Sequence, residues 1–287
     1  MIDWILLLQF ATPLALAAIG ETVGQKSGLI NIGLEGTMLT AAYFGVLGCI
    51  STGSPWLGLV IGALAGLALT MLVSWFTITL GADQVVVGTA ANLLALGVTG
   101  TLFQARFGHS GQLFHVDQVP KWHGVDAVMV FGLVAAFLVT WLLWHTGWGL
   151  ALRATGEYPQ ATEAAGFSAN KLRFQAAAVG GLLGGLGGAY LSLGVVGSFA
   201  ENMTGGRGFI AIAMVTFGRW KPAYVFVACM LIGYLDSLQY VLQARGSAIP
   251  FQLLIALPYV AALVVLVAVG KGTVVPAALG RPYSRDK

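Results

Sequence analysis

Long apolar runs alternate with short polar connectors along most of the chain. Runs near 3–20, 29–50, 56–80, 85–103, 127–146, 174–196, 223–243 and 251–270 are dominated by Leu, Val, Ala, Ile, Phe and Gly. Each holds about 18 or more residues, which as a helix rises far enough to cross a hydrocarbon core of roughly 30 Å. The pattern predicts eight spans. A ninth apolar segment, 209–220, is too short to cross alone and follows the glycine-rich "TGGRG", which predicts a half-helix entering from a loop. The predicted fold is an all-α integral membrane protein: a polytopic helical bundle of about eight full spans plus one short half-helix, in a single transmembrane domain over residues 1–287.

Composition supports the bilayer as solvent. Hydrophobic residues make up 57% and charged residues 9% of the chain, and a mean hydropathy of +0.85 leaves too little polar surface for a soluble domain of this length. The first run has no Lys or Arg before it and no small-residue cleavage site followed by a polar start, so it reads as a retained helix and not a signal peptide. Cys49 and Cys229 lie in apolar segments without metal or redox spacing and read as packing residues. A net charge of +3 is too small to point to nucleic acid.

The basic residues are better explained by topology. Placing the 151–173 loop in the cytoplasm and counting 209–220 as a passage puts ten of the fourteen Lys and Arg residues inside: Lys26, Arg153, Lys171, Arg173, Arg219, Lys221, Lys271, Arg281, Arg285 and Lys287. The amino terminus then lies outside and the carboxyl terminus inside. Gly58, Gly62 and Gly66 recur every four positions, as do Gly180, Gly184 and Gly188. Small residues at that interval let helix backbones approach closely in lipid, and contacts within one subunit are the simpler reading. "LINIGLEGTML" and "FIAIAMVTFGR" each open a membrane segment after a glycine-rich entry in opposite halves, the arrangement of an inverted repeat with broken helices.

Catalytic signatures are missing. "VAVGKGT" lacks the spacing of a phosphate-binding loop, and there is no HExxH, CxxC or G-x-S-x-G. His109, His115 and His123 share an outer loop with Asp117 and Asp126, but their irregular spacing reads as solvated loop and not as a metal site. In the inner loop, Pro159 suits the first turn of a short helix, Glu157 its amino-terminal end, and Gly166 its close. So short a helix does not persist alone in water, so it is expected to dock against something.

"SGLINIGLEGTMLTAAYFG", "GADQVVVGTAANLLALGVTG", "EAAGFSANKLRFQA" and "GGRGFIAIAMVTFGRWKP" followed by "GYLDSLQYVLQ" resemble, in order and over most of the chain, the permease subunits of bacterial ABC importers for simple sugars, nucleosides and branched-chain amino acids. "SGLINIGLEG" and "GFIAIAMVTFGRW" are most similar to the nucleoside branch that works with a basic-membrane-protein lipoprotein. The resemblance implies a multi-pass subunit of the bacterial inner membrane that moves a nucleoside or related small polar solute by alternating access. It implies a second permease, expected to be related and non-identical, an ATPase with two nucleotide-binding domains, often fused, and an extracytoplasmic substrate-binding lipoprotein. This chain would bind no cofactor, ATP and Mg belonging to the ATPase. Glu157, Tyr158, Pro159, Glu163, Ala164, Ala165 and Gly166 would form the coupling helix that sits on the ATPase. A simple-sugar permease, or an ion-coupled secondary transporter or channel, is the alternative.

Polar residues inside spans are the remaining candidates. Asn31 and Glu35, one helical turn apart, lie toward the cytoplasmic end of the second span, with Gly28, Gly33 and Gly36 permitting a tight entry, and read as part of an inner gate. Asn92 at mid-depth, Asp236 and Gln239 on one face of a later span, and Phe209 are candidates for the solute pathway, with hydrogen bonding between helices as the competing reading for the polar three and an interfacial aromatic belt for Phe209.

Overall fold

The computed structural model describes residues 4–108, 115–244, 250–269 and 274–283. Its helices are α1 (Trp4–Lys26), α2 (Leu34–Thr52), α3 (Pro55–Ser74), α4 (Gln84–Phe107), α5 (Ala127–His145), α6 (Gly147–Glu157), α7 (Pro159–Ala164), α8 (Ala169–Tyr190), α9 (Arg207–Phe217), α10 (Pro222–Ala244) and α11 (Phe251–Val269). Helices α3 and α8 run on into π-helical turns, Trp75–Thr79 and Leu191–Val196. Among the described residues, seven helices are long and apolar enough to cross a membrane: α1 to α5, α8 and α10. The predicted 251–270 span corresponds to α11, and the half-helix to α9.

Burial divides the bundle into a centre and a periphery. The spans of α1, α2 and α8 are each 72% buried, whereas α4 and α10 are 22% and 28% buried and present Leu and Val outward. The glycine stripes explain the tight centre. A Cβ on Gly62 of α3 would lie 2.6 Å from both the Ala189 side chain and the Ala41 carbonyl, and one on Gly188 of α8 would strike the Met38 backbone. Both stripes therefore pack α2, α3 and α8 together within one subunit.

Several boundaries differ from expectation, each with a local cause. Helix α1 continues past residue 20 to Lys26, carrying Glu21 and Gln25 into the bundle, while α2 begins only at Leu34 and leaves 29–33 outside any helix. The region 151–173 is not a loop but largely helical. The Thr146 hydroxyl accepts from Gly149 N (3.1 Å) at the head of α6, Pro159 opens α7, Gly166 ends it at φ +87°, and Ser168 caps α8. Glu157 consequently ends α6 and does not start α7. Past α9, Arg219 and Trp220 both adopt left-handed φ (50° and 54°), a cost of about 1–2 kcal/mol each. The turn holds because Trp220 is buried and its indole N–H donates to Gln25 Oε1 at 2.7 Å.

One end of the bundle gathers basic residues. Lys26 lies within electrostatic reach of Glu157, Arg153 and Lys221. Buried Arg173 donates from Nε to Ser27 O (3.2 Å) and from Nη1 to Arg281 O (3.3 Å). Lys221, which follows α9, therefore shares an end with Lys26 in the last turn of α1 and with Arg153 and Glu157 of α6.

Candidate functional site

A helix that breaks inside a bilayer exposes backbone groups that no water can satisfy. In 29–36 the partners come from side chains elsewhere. Ile30 N donates to Gln84 Oε1 (2.8 Å), Asn31 N to Glu21 Oε1 (3.0 Å) and Gly36 N to Asn92 Oδ1 (2.8 Å), while Asn92 Nδ2 donates to Ile32 O (2.9 Å). Glu21 Oε1 also accepts from Gln25 Nε2 (3.0 Å), so a polar relay runs from the break through α1 to Trp220 at the α9–α10 turn. Beside the relay, a cavity of about 20 Å³ is lined by Glu21, Asn31, Thr70, Ser74 and Thr77.

The second break is the entry to α9, and Glu35 joins the two. Its Oε1 accepts from Gly206 N (2.8 Å) and its Oε2 from Gly208 N (2.7 Å), so both oxygens bind amides at the head of α9. Charge-assisted bonds of this length are strong, and the helix dipole adds to them. Gly208 is required by close approach, since a Cβ there would collide with the Glu35 backbone. With 11 residues in α9, Glu35 stands about 16 Å from the Arg219–Trp220 turn, roughly half a hydrocarbon core. It is deeper than an unbroken helix from residue 29 would put it.

Next to this junction is a cavity of about 260 Å³. Arg207, Asp236, Gln239 and Tyr259 supply its polar wall, and Leu14, Ile210, Ile232, Ile255 and Pro258 its apolar one. Arg207 Nη2 lies 3.5 Å from Asp236 Oδ2, and Arg207 Nη1 reaches Met203 O and Thr204 O, each at 3.4 Å. The Tyr259 hydroxyl donates to Gly205 O, tying α11 to the same entry. The wall offers an acceptor, an amide and a hydroxyl beside apolar surface, which suits a solute that is part polyol and part flat ring.

At the basic end, α7 projects Tyr158 and Phe167, which flank it and are 68% and 53% exposed, while Pro159 and Thr162 are buried beneath. Glu163 Oε1 accepts from Ala169 N (3.2 Å), joining α7 to the head of α8. Ala164, Ala165 and Gly166 complete the turn. The segment 274–283 lies across this region: Ala277 N donates to Glu157 Oε2 (3.2 Å), Ala278 N to Gly156 O (2.9 Å) and Gly280 N to Gly28 O (3.1 Å). It ties α7's neighbourhood to the start of the first break.

Of the residues singled out in sequence, Asp236 and Gln239 line the larger cavity, and Phe209 is half-exposed in the first turn of α9. Asn92 does not join them, because both ends of its amide are spent on the first break. Asn31 and Glu35 do not share a helix face, since Asn31 precedes α2. Gly33 and Gly36 face Ala91, on α4, and Gly28 (φ +90°) faces Arg173 and Ala278. His109 lies outside the described residues; Asp126 caps α5 and accepts from the Tyr190 hydroxyl (2.6 Å). Among the described residues no group of three or more His, Cys, Asp and Glu could hold a metal ion. Sequence reading missed Glu21, Gln25, Gln84, Arg173, Arg207 and Tyr259. An i, i+4 Glu–Gln pair at the end of an apolar run was the available signal for the first two.

Comparison with known proteins adds an independent line. A family model described as branched-chain amino acid transport system / permease component matches residues 5–270. The chain is 32% identical to the nucleoside ABC transporter permease protein NupC of Lactococcus lactis, over 98% of this chain and 96% of the relative. It is 30% identical to the guanosine ABC transporter permease protein NupQ of Bacillus subtilis, covering 98% and 95%. A Haloferax volcanii protein provisionally named glucose ABC transporter permease protein TsgC13 is 34% identical, covering 84% and 78%. Among solved structures, an ABC transporter in an inward-facing conformation superposes with a TM-score of 0.55 at 18% identity, covering 92% of this chain and 84% of that one, a likeness of fold.

Proposed function

The chain belongs to the family of branched-chain amino acid transport system permease components, and we propose that the solute it carries, as the transmembrane component of an ABC importer, is a nucleoside or a closely related small polar molecule. The observation that carries the solute class is the cavity at the head of α9. Asp236, Gln239, Arg207 and Tyr259 can hydrogen-bond sugar hydroxyls while Ile210, Ile232, Ile255 and Pro258 cover a base. Full-length similarity to relatives named for nucleoside and guanosine transport supports the same class. A simple sugar is the second reading, favoured by the relative named for glucose.

In this reading α7 with Glu157, Tyr158, Pro159, Glu163, Ala164, Ala165 and Gly166 is the surface on which the partner ATPase bears, exposed Tyr158 being its contact. Closure of the ATPase pair moves α7. Segment 274–283 and Arg173 pass that motion to Gly28 and the break at 29–33, where Asn31, Gly33, Glu35 and Gly36 form the gate. The two broken entries, at 29–33 and at Gly205–Gly206, are the centres of an inverted repeat. The basic end faces the cytoplasm, which leaves the amino terminus outside and the carboxyl terminus inside a bacterial inner membrane. A second, related permease and a binding lipoprotein complete the assembly.

The test is reconstitution. The complex isolated from its host, with every co-purifying subunit identified by mass spectrometry, is placed in liposomes and assayed for ATP-driven uptake of uridine, guanosine and glucose. Uptake of nucleosides that glucose does not compete with supports the reading. Glucose uptake without nucleoside uptake turns it to sugars, and ATP-independent flux through this chain alone overturns it.

A further inference from the structure

The head of α9 has the makings of an anion site, and it is already filled from within. Two backbone amides, Gly206 N and Gly208 N, point at one place, and the dipole of an 11-residue helix favours negative charge there. Glu35 occupies it with both oxygens. Glu35 is also the second residue of α2, so the amino-terminal ends of two helices converge on one buried carboxylate. Among the described residues lining the cavity the one cation, Arg207, is committed to Asp236 and to the carbonyls of Met203 and Thr204.

An anionic solute entering the cavity would find the Gly206 and Gly208 amides taken by Glu35 and the Arg207 guanidinium engaged by Asp236 and two carbonyls. It would meet two carboxylates, Asp236 on the wall and Glu35 behind Gly205–Gly208. It would shed hydration with only the neutral donors of Gln239 and Tyr259 to replace it. Sugar hydroxyls are not penalised in this way, since Asp236 can accept from them and Tyr259 and Gln239 can exchange bonds with them.

We propose that Glu35 is a built-in anion that fills the cradle at the head of α9 and thereby reserves the adjoining cavity for uncharged solutes. The proposal deepens, and rests on, the reading of this chain as a nucleoside permease. Glu35 acts on specificity without touching solute, and its removal should open the cradle to anions from outside.

The experiment uses the whole complex with Glu35→Ala and Glu35→Gln. In Glu35→Ala the unbound amides lower the thermal midpoint, and uptake of uridine falls about tenfold or more. Sodium formate, small enough to enter the vacated cradle, raises the midpoint and restores uptake about threefold or more, whereas gluconate at equal concentration does neither. Wild type gains nothing from formate, and neither does Glu35→Gln, whose carboxamide still occupies the space although only its Oε1 can accept. UMP supplied on the ATPase side, where no binding protein screens it, inhibits Glu35→Ala and leaves wild type unaffected, while uridine inhibits both. The proposal is overturned if formate leaves the midpoint of Glu35→Ala unchanged, or if UMP inhibits wild type as strongly as the variant. Absence of uridine uptake by wild type counts against the transport reading alone, because the formate shift is read on the solubilised complex without transport.

Discussion

Replacing Arg173 separates its contribution to stability from its contribution to coupling. Its guanidinium is 1% exposed and holds two carbonyls, Ser27 O at 3.2 Å and Arg281 O at 3.3 Å, while Nη2 has no partner. At those lengths each charge-assisted bond is worth about 1.5 kcal/mol, the low end of its range, or about 3 kcal/mol together. Against this stands the desolvation of a buried cation, several kcal/mol. Arg173→Met, which keeps most of the volume and removes the charge, should leave stability within about 1 kcal/mol of wild type. Arg173→Ala adds a cavity and should lose about 2–4 kcal/mol more. Both variants free segment 274–283 from α8, so both should transport several-fold fewer solutes per ATP hydrolysed, with Arg173→Lys intermediate because an ammonium cannot span both carbonyls as a planar fork does. Thermal unfolding in detergent gives the first quantity, and uptake and phosphate release in the same liposomes give the second. Full transport per ATP in a stable Arg173→Met complex refutes segment 274–283 as a relay. A Met variant as unstable as the Ala variant refutes the energetic account.

Three further outcomes follow from particular bonds. Asn92→Ala removes the partners of Gly36 N and Ile32 O and should cost about 1–3 kcal/mol in unfolding while leaving the KM for uptake unchanged; a raised KM with unchanged stability would put Asn92 on the solute path after all. Trp220→Phe keeps the ring in its pocket but leaves Gln25 Oε1 without its indole donor, and should lower stability by about 1 kcal/mol, read from the thermal midpoint. Gly208→Ala drives a Cβ into the backbone of Glu35, so α9 must shift; ATP-driven uptake should be lost from a complex that still assembles, and retained uptake would show that the junction tolerates displacement.

The span pattern was legible because lipid demands long apolar helices, and α3, α4, α5 and α10 lie close to where hydropathy placed them. The ends were less legible. Glu21 and Gln25 lower the hydropathy of the last turns of α1, yet those turns are helical, because Glu21 and Gln25 bond each other and reach across to Asn31 and Trp220. The opposite error occurred at 29–33, which is apolar enough to read as helix but is held open by partners 10 to 60 residues away, Glu21, Gln84 and Asn92. No local pattern reports such partners. Asp236 and Gln239 are visible as a pair at i, i+3; Arg207 stands alone in a glycine-rich loop and Tyr259 in an apolar run, so the cavity they complete could not be assembled from sequence.

The separation of polar residues into two groups follows from counting backbone needs. Breaking a helix at 29–33 and again at Gly205–Gly206 exposes amides that must each find an acceptor in a dry interior. Gln84, Glu21, Asn92 and Glu35 are consumed in meeting that need, each with named backbone N–H groups. Such residues cannot bind a solute without releasing the backbone they hold, and release would cost about 1–3 kcal/mol per orphaned group. Asp236, Gln239 and Tyr259 hold no backbone N–H of either break, Tyr259 binding only the Gly205 carbonyl, and Arg207 holds Asp236 and two carbonyls of its own turn. They can exchange partners at lower cost, which is what a transient path requires of its walls. In the proposed reading the residues fixed by backbone bonds suit a gate, and those with exchangeable partners suit a path.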